Sequence, residues 1–210
     1  MAKKPLHATR TLVQAVADYR TCGLDKKLMG NLKKCTTDAQ CVYGPNFSPA
    51  TGKTKHPHQR RIPGIILSDF LSKVKQMNPQ AGQFKNFDDF FDATCKYTGK
   101  TPSLMVYDYC LRKGIHLGLM PDKYVYLFCG ARDGYKLASG VTAIHYRVCI
   151  QGMRNNPAFN PIFSGFPNVS CAIVEDILCY YHQRRPCSAN SSNCGCNGNS
   201  IPKGGVLGTF

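Results

Sequence analysis

Leu12, Val13, Val16 and Tyr19 recur at helical spacing, which predicts an amphipathic helix over residues 9–21. From Lys33 to Arg61 that periodicity disappears. Cys35-x5-Cys41, Gly44-Pro45-Asn46, the run from Gly52 to His58, and Gln59-Arg60-Arg61 read as a basic, turn-rich loop. Helical spacing returns with Phe70, Leu71, Val74 and Met77 behind Ser68 as a candidate N-cap, and Asn78-Pro79 stops it. Asn86 is the next candidate cap. Asp88 and Asp89 lie in its favourable first turn, with Phe87, Phe90, Phe91 and Cys95 on one face. Because that aromatic row repeats at helical spacing, it reads as core rather than as a stacking platform.

Ser103 opens a further helix with Leu104, Tyr107, Cys110 and Leu111 on its face, and Gly114 to Asp122 reads as a short connection. An apolar run resumes from Lys123 to Phe128, and the glycines at 130, 134 and 140 follow, with Arg132-Asp133-Gly134 read as a turn. Asn155 to Asn168, with its prolines and Phe/Ile anchors, reads as an ordered loop packed on the body. Ser170 caps the last clear helix, with Ile173, Ile177 and Tyr181 inward. Period-2 alternation is scarce, so the expected fold is mainly α: a compact helical domain with long loops and a Cys-rich C-terminal loop. The expected organisation is an N-terminal helix and basic arm over residues 1–62, a helical core over 63–186 and a Cys/Gly/Asn-rich tail over 187–210.

Composition then narrows the partner. The 210 residues hold 43% hydrophobic positions, enough for a core, and 27 Lys and Arg stand against 12 Asp and Glu, a formal charge of +15. A charge of that size favours encounter with DNA or RNA, an anionic membrane surface or an acidic protein, and it decides nothing about fold. No run approaches the ~18 apolar residues of a membrane span. The N-terminal segment lacks a secretory pattern, since Gln14, Asp18 and Arg20 interrupt its apolar stretch. Twelve cysteines without such a signal point to reduced thiols and to an intracellular chain, cytoplasmic or nucleoid/nuclear. A secreted, disulfide-rich or structural interaction protein is the alternative.

The densest chemistry is Cys179-Tyr-Tyr-His182-x4-Cys187-x6-Cys194-Gly-Cys196. Close soft ligands suit zinc or an iron–sulfur cluster, and oxidation to disulfides competes with both. Cys35, Cys41, His56 and His58 form a second, more loosely spaced ligand group. Arg184 and Arg185 beside the C-terminal cluster, together with Lys53, Lys55, Arg60 and Arg61 in the basic loop and Lys123, are candidate phosphate contacts.

From Leu111 to Phe128 an apolar helix, the Leu117-Gly118-Leu119 connection, Pro121 and Lys123 follow one another. Thr142 to Cys149 and the Cys179–Cys196 cluster come later in the same order. In this order the chain resembles the helix-hairpin-helix DNA glycosylases that carry a C-terminal iron–sulfur loop, over residues 60–196. The resemblance implies nucleic-acid binding by the Gly118 hairpin and a DNA glycosylase/lyase activity with Lys123 nearest the family's lysine nucleophile. Ala143 stands where the family has its catalytic aspartate, so Asp122 or Asp133 would have to substitute. Met120 replaces a hairpin glycine, and Cys194-Gly-Cys196 has a one-residue spacer with no further cysteine behind it. The expectation is therefore a basic nucleic-acid-binding protein with a C-terminal Cys/His metal or iron–sulfur site. The base-excision enzyme, with Lys123 and Asp133 as catalytic residues, is the alternative.

Overall fold

The computed structural model describes residues 10–48 and 56–182. The chain is mainly helical, as its periodicity predicts. Helix α1 (Leu12–Thr21) starts in a capping box in which Gln14 N donates to Thr11 Oγ1 and Thr11 N to Gln14 Oε1. Gly23, at φ 58°, turns the chain into α2 (Leu24–Lys33), and a second capping box, Thr37 with Gln40, starts the short α3 (Asp38–Tyr43). A 3-10 turn, Pro57–Gln59, precedes α4 (Gly64–Met77), α5 (Phe87–Thr98) and α6 (Leu104–Leu117). Strand β1 (Tyr124–Tyr126), α7 (Cys129–Ser139) and β2 (Arg147–Cys149) follow. The chain then forms α8 (Ile150–Arg154), a 3-10 turn at Pro157–Phe159, α9 (Asn160–Gly165) and α10 (Cys171–His182).

Two apolar cores hold these elements. One joins α1 to α7–α10 through Tyr19, Phe159, Ile162, Ile177 and Leu178; the other joins α2–α6 through Leu67, Phe70, Phe90, Phe91 and Tyr109. The seam is β1, which pairs antiparallel with β2, Val125 opposite Val148. Alternating strand side chains send Val125 into the first core and Tyr126 into the second. Tyr126 stacks on Tyr107 at 5.1 Å and donates to Asp88 Oδ1 at 2.7 Å. The expected arm over 1–62 is thus shared out: α1 packs with α7–α10, and α2 and α3 pack with α4–α6.

Several local expectations are corrected. Ser68 lies inside α4, which begins at Gly64 behind Pro63, and its hydroxyl donates to Ile65 O. Gly114 belongs to α6, which runs on to Leu117; Gly114 sits there because a Cβ would meet the Leu119 carbonyl. After Gly118 the chain enters a strand, so Pro121 starts no second helix and the hairpin expected at Leu117–Leu119 has only its first helix. The expected loop at 33–61 contains α3, and the one at 155–168 contains α9 anchored by buried Phe159 and Ile162. Arg132-Asp133-Gly134 lies in α7 rather than a turn. Its two glycines face α10: a Cβ on Gly134 would collide with the Leu178 backbone, and one on Gly130 would come within 2.8 Å of Cys179 Sγ. Glycine therefore marks close helix packing here, which outweighs its poor helix propensity.

Candidate functional site

The 3-10 turn is bound to the surface of the second core by its backbone. His56 N donates to Tyr43 O at 2.7 Å, and Gln59 N returns to His56 O at 2.8 Å. Gly44, at φ 113°, permits this approach, because a Cβ there would come within 2.7 Å of His56 Cβ. His-Pro-His spacing across the turn sets the two imidazoles edge to face, centroids 4.6 Å apart. Beneath them α6 presents Asp108, and His56, His58 and Asp108 each place a ligand atom within 4.8 Å of the others.

Asp108 is held by one oxygen. Its Oδ2 accepts from Gln59 Nε2 at 2.7 Å, faces His58 Nδ1 at 3.1 Å and accepts from Arg112 at 3.2 Å; no described residue donates to Oδ1. Arg112, one helical turn on, also donates to Cys41 O at 2.9 Å, tying α6 to α3. Burial alone would raise the Asp108 pKa, but the Arg112 and His58 charges hold it well below the usual carboxylate range. Burial, and then the Arg112 charge, push His56 down to about 3, so this ring is neutral. His58 is raised: burial would lower it, and the Asp108 charge and hydrogen bond more than offset that. Gln59 is fully buried; its Oε1 faces the His56 ring, and no described residue gives it a well-formed hydrogen bond. Two further acids on α10 share this field: burial, then mutual repulsion with Asp176 and Asp108, raises Glu175, the only glutamate of the chain. Burial likewise raises Asp176, which accepts from Tyr19 Oη at 2.6 Å.

The loosely spaced group Cys35, Cys41, His56 and His58 is thus divided. The two cysteines are buried in the α2–α6 core, with Cys41 Sγ donating to Cys35 O at 3.4 Å, and Asp108 joins the histidines instead. Nothing local announces Asp108, which lies 50 residues from His58; only its spacing to Arg112 on one helix face was legible.

The other expected site residues are dispersed. Lys123 is exposed, its Nζ 5.0 Å from the Tyr124 ring centroid, while Asp133 faces His182 Nε2 at 3.7 Å. Gly118 closes α6 at φ 72° and is exposed; a Cβ there meets nothing, so its observed role is helix termination. Cys179 and His182 share the last turns of α10 beside Gly130. Cys187, Cys194, Cys196, Arg184, Arg185, Lys53 and Lys55 lie outside the described residues. Cys22, Cys35, Cys41, Cys95, Cys110, Cys129, Cys149 and Cys171 are free thiols. Among the described residues no helix is long and apolar enough to cross a membrane.

The cationic surface has a component on a helix that the sequence pattern did not disclose, between the expected first helix and the expected basic loop. On α2, Leu24 and Leu32 are buried, while Lys26, Lys27 and Lys33, with the capping Lys34, are exposed on the opposite sector. None of these lysines, nor the exposed Arg60 and Arg61, has an acidic partner among the described residues. No family model matches the chain, and no curated protein or solved structure matches it.

Proposed function

We propose that this protein binds nucleic acid through phosphate contacts made by exposed cations, those of α2 and the Arg60-Arg61 pair foremost. The unneutralised state of those side chains carries the reading. All 12 acidic residues lie in the described part of the chain, and among the described residues the ion pairs they form go to Arg10, His58, Lys73, Lys100, Arg112, Lys113, Arg132, Arg147 and His182. The α2 lysines come in two pairs, Lys26-Lys27 and Lys33-Lys34, seven residues apart. At 1.5 Å per residue this separates the pairs by about 10 Å along the helix, on the order of three nucleotide steps. A zinc or iron–sulfur site on Cys179, His182, Cys187, Cys194 and Cys196 is part of the same reading, supported by the side-by-side placement of Cys179 and His182 at Gly130. Lys123 Nζ lies over the Tyr124 ring, and Asp133 pairs with Arg132 and His182, which favours binding over glycosylase or lyase chemistry.

Fluorescence anisotropy with labelled duplex DNA and single-stranded RNA, at two salt concentrations, tests the reading. Affinity for at least one of them is expected to fall steeply between ~50 and ~200 mM salt. Affinity that stays flat for both refutes phosphate-dominated binding.

A further inference from the structure

We propose that His56, His58 and Asp108 bind a divalent transition-metal ion of the zinc class, with Gln59 Oε1 positioned as a fourth donor. The inference stands apart from nucleic-acid binding and would survive its failure. Three observations converge on it. The first is donor chemistry: two imidazoles and a carboxylate, with ligand atoms within 4.8 Å of one another, form a nitrogen–oxygen set. Such a set suits zinc and its neighbours better than magnesium or calcium, which prefer all-oxygen shells. Ligands about 2.1 Å from a tetrahedral ion lie roughly 3.4 Å apart, so modest side-chain rotations close the site.

The second observation is the division of labour on Asp108. Arg112 and Gln59 Nε2 donate to Oδ2, and no described residue donates to Oδ1, the pattern in which an outer partner orients a ligating carboxylate. The third is independent of both. Gln59 is fully buried and its amide nitrogen is committed to Asp108; its oxygen faces the His56 ring, and no described residue satisfies it with a well-formed hydrogen bond. A buried acceptor without a well-formed hydrogen bond is costly, and a cation among these groups is its natural complement. An ion pair between Asp108 and Arg112 alone would explain neither this oxygen nor the pair of histidines. The His58 side chain, 39% exposed, leaves the centre reachable from solvent.

Cobalt(II) titration of the full-length chain in a non-chelating reductant tests the site despite the many thiols. His58→Ala and His56→Ala are expected to bind one equivalent less than the wild type. The wild-type-minus-variant spectrum should show d–d bands without thiolate charge transfer. Unchanged stoichiometry in both variants, or a difference spectrum dominated by thiolate charge transfer, overturns the proposal. A second measurement needs no variant. Stoichiometric zinc should protect His58 from diethylpyrocarbonate, read by mass spectrometry, whereas equal modification with and without zinc overturns it.

Discussion

Replacing Lys26, Lys27, Lys33 and Lys34 together by glutamine removes four charges from one sector of α2. The helix itself should survive, because lysine and glutamine have nearly equal helix propensities and the buried face of Leu24 and Leu32 is untouched. The formal charge falls by four from +15. If these lysines and Arg60 and Arg61 make six phosphate contacts, the slope of log K against log salt on duplex DNA is about −5. With two contacts left it becomes about −2. Between ~50 and ~200 mM salt the wild type then loses roughly three decades of affinity and the variant roughly one. Anisotropy titrations over that range read both slopes. The control is Lys75→Gln, Lys85→Gln and Lys96→Gln, which removes exposed charges elsewhere. An unchanged slope in the α2 variant refutes the assignment, as does an equal loss per charge in the control.

Gly134→Ala should cost about 3 kcal/mol and lower the melting temperature by roughly 6–12 °C, since the clash is with the Leu178 backbone, which cannot rotate away. Gly118→Ala, strained only by its φ of 72°, should cost about 1 kcal/mol in the same calorimetric comparison. Arg112→Met leaves Asp108 buried without its main counter-charge and should cost about 3–5 kcal/mol by urea denaturation. Lys113→Met breaks the more solvated pair with Asp38 and should cost less than about 1 kcal/mol; equal losses would contradict the burial argument. Finally, the Glu175 pKa is raised by burial and by Asp176 and Asp108, so its proton stabilises the fold below the unfolded carboxyl value and that benefit is lost as pH rises through the folded one. Glu175→Gln should therefore melt higher than wild type at neutral pH, with the gain gone by about pH 4. A gain that persists there would assign the effect to something other than the charge.

Periodicity alone marked most of the buried positions it named on α1, α5 and α6, because an amphipathic helix writes its burial at a fixed interval along the chain; it misplaced Val13, which is 61% exposed, and on α10 it named Ile173 and Tyr181 where Val174, Leu178 and Tyr180 are buried beside Ile177. Thr11 and Thr37, by contrast, became caps that the pattern did not disclose; α3 and α9 were lost among turn-forming residues, and α2 went unread between the first helix and the basic loop. Short helices carry too few turns to establish a period, and tertiary packing supplies most of their stability. Gly130 and Gly134 look like breaks in one dimension and prove to be the contact face of α7 against α10. The excess of Lys and Arg is a property of the sequence itself. Which cations lack an acidic partner depends on distances that only the folded chain defines. The same holds for the candidate centre. His56 and His58 are neighbours in sequence and could be noticed there. Asp108, Arg112 and the Gln59 oxygen join them only because Gly44 lets the turn dock on α3 and α6 brings its carboxylate underneath. Local propensity acts through near neighbours, whereas a ligand set is assembled by contacts between residues far apart in the chain.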